Sequence, residues 1–371
     1  MSRKLLLALA AAVSVWAVAA LYFDIRIAWL RIPGACLYSI LVGSIVWFTR
    51  ASYRGIALWV TSLVLVMTWW LSLAPTNNRR WQPDVAELAW TERNADLVTI
   101  HNVRDFTYRT ETDYIQRWET KTVDLSQLQG VDLFLTHFGS PLIAHAIVSF
   151  QFRDAAGNDT FVAMSIEQRK AVGQSYSTLR GFFRQYELIY LAADERDVVR
   201  VRTNYRTGEY VRLYHTLTKP EVARRLFLQY LSWIDTLRTH PQWYNALSDN
   251  CTTTVTSYLA NNHIGGLSRW DWRSLLNGLG DQMLYDDGDL ATGGLSFHDL
   301  SEQALINDAA ERLGDDPNFS RDIRRGHPGF SLEKMSQLEV PLAMISVAHG
   351  AADKERPQQR PHENAGVDVH R

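Results

Sequence analysis

Cysteine is nearly missing from this chain of 371 residues, which holds only Cys36 and Cys251. Cys36 lies in an apolar run of membrane character, so an intrachain disulfide in the soluble part is excluded and Cys251 is left as a free thiol. Zinc-type cysteine spacing is absent, and no histidine or cysteine cluster calls for a metal; no cofactor is expected. An excess of charge of either sign is missing too. Lys and Arg number 38 against 40 Asp and Glu, a net −2, and no long basic run occurs, so nucleic acid is not an expected partner. Nor is there an internal repeat. Apolar material is plentiful, however: 46% hydrophobic and 21% charged residues suffice for a substantial core, and the length leaves room for two or three folding units.

The apolar residues concentrate at the N-terminus. Residues 5 to 23, LLLALAAAVSVWAVAALYF, carry no charge and have about the 20-residue length that a helix needs to cross a bilayer. A signal peptide would be followed directly by a soluble domain, whereas further apolar runs follow at 32 to 48 and 55 to 74. The expectation is a three-helix membrane anchor over residues 1 to 76. Two spans stay open as the alternative, because the middle run is short, is preceded by Arg31 and contains Pro33-Gly34. Trp47, Trp59, Trp69 and Trp70 suit interfacial belts. Charge does not decide the orientation: Arg3, Lys4, Arg50 and Arg54 on one side balance Arg26, Arg31, Arg79 and Arg80 on the other.

From Trp81 the composition is that of a soluble domain, expected to run from 77 to 345. Strands are predicted at 131–138, 144–152 and 160–169, the last two separated by the turn-forming RDAAGND. Two more are expected at 197–206 and 210–217, forming a hairpin around Thr207-Gly208-Glu209. Arg200, Arg202, Arg206 and Arg212 would then line strand faces, either as a solvated surface or against anionic headgroups. AADERDVV reads as a salt-bridged turn. Residues 220 to 239 open with Pro220 and repeat apolar residues at helical spacing, the pattern of an amphipathic helix packed on a sheet. Residues 346 to 371 are polar enough for a disordered tail.

The lone soluble thiol sits in SDNCTTTVTSYLA. Asp249 and Asn250 are good N-caps, which puts Cys251 in the first turn of a helix. There the dipole and unpaired N–H groups favour a thiolate, and the Cys251 amide, with the Asn250 side chain beside it, can hold an oxyanion. A buried structural cysteine is the competing reading. As a base, His137 and His145 stand apart from histidines in turns or the tail. His145 opens a strand on which Ile147, Ser149 and Gln151 share its face. A third group should orient the imidazole by reaching its second ring nitrogen; Ser165 and Glu167, two apart on one strand face, are the candidates, with Glu167 preferred, and a surface salt bridge of Glu167 to Arg169 or Lys170 is the competing reading.

PLIAHAIVSFQF, SIEQRK, RGFFRQYELIYLAADERDVVRVRTNYR and YNALSDNCTTTV, in that order, resemble the Lnb-type N-terminal periplasmic domain of bacterial envelope proteins. That family is similar to circularly permuted papain-like thiol enzymes, the group that includes lecithin:retinol acyltransferase, in which the histidine strand precedes the cysteine helix. The resemblance implies an α+β fold, with an antiparallel sheet and packed helices, placed in the periplasm on an inner-membrane anchor. It also implies Cys251 as nucleophile and His145 as base. The family's usual His-Thr is His-Ala here, at Ala146. Its best known activity moves an acyl chain within a lipoprotein. The expected function is therefore an acyltransferase or acyl hydrolase acting on envelope lipid or lipoprotein through a Cys251 thioester. A cell-wall peptide amidase with the same pair, and a catalytically inactive envelope protein, remain the alternatives.

Overall fold

The computed structural model describes residues 3–49, 52–246, 248, 253–255, 257–258, 273 and 277–330. The three apolar runs become helices α1 (Arg3–Asp24), α2 (Ala28–Thr49) and α3 (Tyr53–Ser72). All three are long and apolar enough to cross a membrane. Large side chains such as Leu7, Leu37 and Leu65 point outward, while Ala17, Ala20 and Ala35 are buried where the helices meet. Small residues at such contacts let backbones approach in lipid, where no hydrophobic drive pulls helices together. The doubtful middle run is a full helix that continues through Pro33.

Beyond the anchor the chain builds β1 (Trp90–Asn94), β2 (Leu97–Arg104) and a small ribbon of β3 (Thr107–Tyr108) with β4 (Tyr114–Ile115). Then come β5 (Trp118–Asp124), β6 (Leu128–Phe138), β7 (Ser140–Arg153), β8 (Asp159–Arg169), β9 (Glu187–Ala193) and β10 (Glu209–His215). Eight strands form one sheet in the order β1-β2-β9-β8-β7-β6-β10, with β5 also paired to β2. Among the described residues of this sheet only the β2–β9 pairing is parallel.

Strand alternation sends Ala144, Ala146, Val148 and Phe150 to one face and His145, Ile147 and Ser149 to the other. Helix α5, placed after α4 (Glu195–Val198) and running Pro220–Thr239, covers the first face with Ala223, Leu226, Phe227, Tyr230, Leu231, Ile234 and Leu237. Phe150 meets Phe227 edge-on at 4.9 Å between ring centres, and Tyr190 stacks on Trp233 at 5.3 Å. Burial of each large apolar side chain here stabilises by roughly 1.5–3 kcal/mol. On the opposite face α4 and the helices Asn307–Leu313 and Phe319–Asp322 pack Val198, Ala310 and Phe319 against Phe134, Ile147 and Leu191. The domain is thus helix, sheet and helix in three layers.

The segment 197–206 is not the expected strand. Asp194 caps α4 by accepting from the Arg196 amide, and Val201–Tyr205 continues as a π-helix. A capped helix start, supported by tertiary burial, outweighs the β-branched alternation of DVVRVRTNYR. The hairpin falls with it: Gly208 does turn the chain, at φ 76°, but β10 pairs with β6. Arg200 and Arg202 are buried and ion-paired, to Asp315 and Glu167, so they form no headgroup-facing surface.

Charges are also paired beneath the second face. Arg324 donates to Asp132 at 2.7 Å and to both oxygens of Glu195 at 2.7 and 2.9 Å, and Ser149 adds a bond to Glu195. Burial would raise the Asp132 carboxyl, but Arg324 and His215 hold it below the usual range.

The anchor is bolted to this domain at the domain-side ends of α1 and α3. Asp24 accepts from Trp70 Nε1 and Gln185 Nε2, both at 2.7 Å, and from the Arg184 amide at 3.3 Å. Arg184 caps the carbonyls of Leu71 and Leu73 and lies 4.2 Å from the Trp70 ring centre.

Candidate active site

Strands β7 and β8 pair in register from Arg153–Asp159 to Ile147–Ser165, where the ladder stops. Two more residues in that register set His145 opposite Glu167. The side chains of His145, Ser165 and Glu167 therefore share a face by parity, just past the end of the ladder.

His145 Nε2 lies 2.7 Å from Ser165 Oγ, and Ser165 Oγ donates to Glu167 Oε1 at 2.9 Å. Since the serine proton goes to the carboxylate, Nε2 carries the imidazole proton and donates it to Oγ, which leaves Nδ1 as the basic nitrogen. Glu167 Oε1 is itself 3.7 Å from Nε2, too far for a hydrogen bond but close enough to stabilise an imidazolium. Of the two orienting candidates, Ser165 makes the direct contact and Glu167 acts through it.

Arg202 completes the arrangement. From the π-helix it donates to Glu167 Oε1 at 3.2 Å and to the Val198 carbonyl at 2.8 Å. Burial opposes a charge on Glu167, but Arg202, then His145 and Arg104, hold its carboxyl well below the usual range. Burial and the neighbouring Arg202 push the His145 imidazole down to about 3. The imidazole is therefore neutral beside an ionised carboxylate. Sequence reading placed Arg202 on a strand surface and so missed it; the usable signal was Asp194-Glu195, a helix start just upstream.

The relay opens on a cleft of about 830 Å³. One side carries Phe138, Leu142, Ile143 and Tyr176, of which Leu142 and Tyr176 are about half exposed. Another is polar, with Arg104 and Arg206. Arg104 is fixed by two bonds of 2.8 Å to Asp197, a carboxylate that also accepts from Tyr108 Oη and the Phe106 amide. Tyr244 and Ala246 line the cleft as well, Ala246 five positions ahead of Cys251, their backbone amides tied to the carbonyls of Tyr186 and Gly181. Cys251 and Asn250 lie outside the described residues. Downstream, Thr253–Val255 and Ser257–Tyr258 are helical, and Tyr258 packs on Trp233 of α5.

His137 points to the opposite face from His145, since its register partner is Ala144. Its Nδ1 accepts from Arg212 at 3.1 Å and its Nε2 donates to the Gly278 carbonyl at 3.0 Å, so both nitrogens brace structure. That brace needs glycine at 278, where a Cβ would overlap the Pro141 carbonyl and the Leu142 backbone at the start of β7.

Residues 114–278 match the Lnb N-terminal periplasmic domain family, the family that the sequence motifs resemble. The match spans β7, β8, α4 and α5 and includes His145, Ser165, Glu167, Arg202 and Cys251. Comparison with curated proteins and with solved structures gives no match. Together with the three apolar helices, the family match points to a membrane-anchored protein with a periplasmic domain.

Proposed function

We propose that this chain is a thiol acyltransferase or acyl hydrolase of a permuted papain-like fold, anchored in the inner membrane and acting on envelope lipid or lipoprotein. The observation that carries the reading is the Glu167–Ser165–His145 relay, a neutral and oriented base at a cleft into which the chain leads just ahead of Cys251. His145 Nδ1 takes the thiol proton of Cys251, and the thiolate attacks an ester carbonyl carbon. As the carbon–oxygen bond breaks, the imidazolium returns the proton to the leaving alcohol and a thioester remains. An amine or a water then attacks the thioester, giving its proton to His145 while the carbon–sulfur bond breaks. Through this cycle Ser165 holds the ring, and Glu167 stabilises its protonated form. The apolar side of the cleft and the tether to a bilayer support a lipid substrate over a peptide.

The test is to incubate the full chain in mixed micelles with a p-nitrophenyl acyl ester, quench it and digest it for mass spectrometry. An acyl adduct on the Cys251 peptide, absent in Cys251→Ala and in His145→Ala, is expected. Cleavage of cell-wall peptide without any acyl adduct would replace this reading with the amidase. Turnover that survives Cys251→Ala would remove the thiol from the chemistry.

A further inference from the structure

A second cavity, about 370 Å³, lies where the anchor joins the domain. Its floor is the loop between α1 and α2 together with the chain leaving α3, so it sits at the domain-side ends of the spans, at headgroup depth. Four guanidiniums line it, from Arg26, Arg31, Arg79 and Arg184, against only two carboxylates, Asp24 and Glu187. The excess is two positive charges. Glu187 is 1% exposed and is matched by Arg79 at 2.9 Å, while Asp24 is occupied by Trp70, Gln185 and the Arg184 amide. Arg26 bonds the Ala74 carbonyl at 3.2 Å and Arg31 the Ile25 carbonyl at 2.8 Å; neither has a carboxylate partner among the described residues. A carbonyl occupies one of five guanidinium donors and cancels none of the charge.

These arginines also explain why topology could not be read from charge. Cations on the translocated side of a membrane oppose the usual bias of positive residues to the cytoplasm. Here two of them face a cavity whose size reaches the lower end of small-molecule sites, roughly 300 Å³. We infer that this cavity binds the phosphate of a membrane phospholipid, with the acyl chains remaining in the bilayer along the anchor. Guanidinium forks suit phosphate oxygens, and a phosphodiester at the bilayer surface is the anion nearest at hand. Gln174 walls both this cavity and the catalytic cleft, so the bound headgroup lies next to the cleft. The inference does not depend on the thiol chemistry.

Binding is measured on the full chain in micelles by native mass spectrometry, titrating phosphatidylglycerol and, separately, diacylglycerol, which lacks the phosphate. Wild type should retain one phosphatidylglycerol and no diacylglycerol. Each interfacial arginine contributes about five-fold, so R26Q/R31Q should weaken retention about 25-fold. Both residues bond only carbonyls, and circular dichroism should confirm an unchanged fold. R80Q removes an exposed arginine outside the cavity and should bind as wild type. Equal retention by wild type and R26Q/R31Q overturns the site, as does an equal loss in R80Q, which would mean a diffuse surface charge. Binding of inorganic phosphate with no retention of phosphatidylglycerol would make it a free-anion site and overturn the lipid assignment.

Discussion

Replacing Ser165 with alanine isolates what the relay contributes. Its hydroxyl, on a residue only 1% exposed, bridges His145 Nε2 at 2.7 Å and Glu167 Oε1 at 2.9 Å. Without it the imidazole N–H faces the carboxylate across 3.7 Å, beyond hydrogen-bonding range. A buried donor left unmatched costs about 1–3 kcal/mol. If that loss falls on the alignment of Nδ1 in the transition state, kcat drops about 5- to 150-fold, at about 1.4 kcal/mol per factor of ten. KM should hardly move, since Ser165 does not line the cleft. The assay is release of p-nitrophenol from a micellar acyl ester, with Ser165→Thr restoring a hydroxyl and part of the rate. Long-range ¹H–¹⁵N spectra of the free chain give an independent reading, the Nε2-protonated tautomer of His145. A folded Ser165→Ala protein with full kcat, or a wild-type tautomer protonated on Nδ1, would refute the relay.

Arg202→Met should leave Glu167 without its main counter-charge and destabilise the chain by about 3–5 kcal/mol, read from chemical denaturation. Acid should act through His145, whose folded form resists protonation down to about 3 while the unfolded chain takes the proton near 6.5. Between those values the unfolded state binds more protons, so stability falls as pH falls, by at most about 1.4 kcal/mol per unit; melting curves against pH should flatten in His145→Gln. For the same reason kcat/KM should show no step near pH 6.5 that belongs to this imidazole. Gly278→Ala should push the start of β7 away and cost about 1–3 kcal/mol as overpacking, visible as a lower midpoint of thermal unfolding.

Elements whose pattern reports their own burial were legible in the sequence. Pro220–Thr239 was read to its ends, because its apolar stripe and first-turn proline are local, and β6, β7 and β8 followed from runs rich in β-branched and aromatic residues, the last two set apart by a turn-forming cluster. Parity within SIEQRK was enough to name Ser165 and Glu167 together. The preference for Glu167 as the direct partner is corrected, since the order of the relay depends on a separation of about an ångström across two strands that parity does not carry. Arg202 escaped because its meaning is tertiary: the alternating VVRVR looks like a strand until Glu167, from another element, gives the arginine a reason to be buried. β10 was found but mispaired, as a turn at Gly208 says that the chain reverses and not which strand it meets.

The ion cluster under the sheet sets an order of events during synthesis. Asp132 and Glu195 receive their arginine from a residue 192 and 129 positions further along the chain. While the polypeptide is being threaded out, the anchor and every strand can already be present with Glu195 lacking its arginine and Asp132 held by His215 alone, and closing that face over them is unfavourable until Arg324 arrives. The second helical layer, and with it the π-helix that holds Arg202 against Glu167, is therefore locked only once export has passed position 324. A membrane-tethered domain built in this order leaves Glu167 without the fixed guanidinium of Arg202 for most of its own translocation.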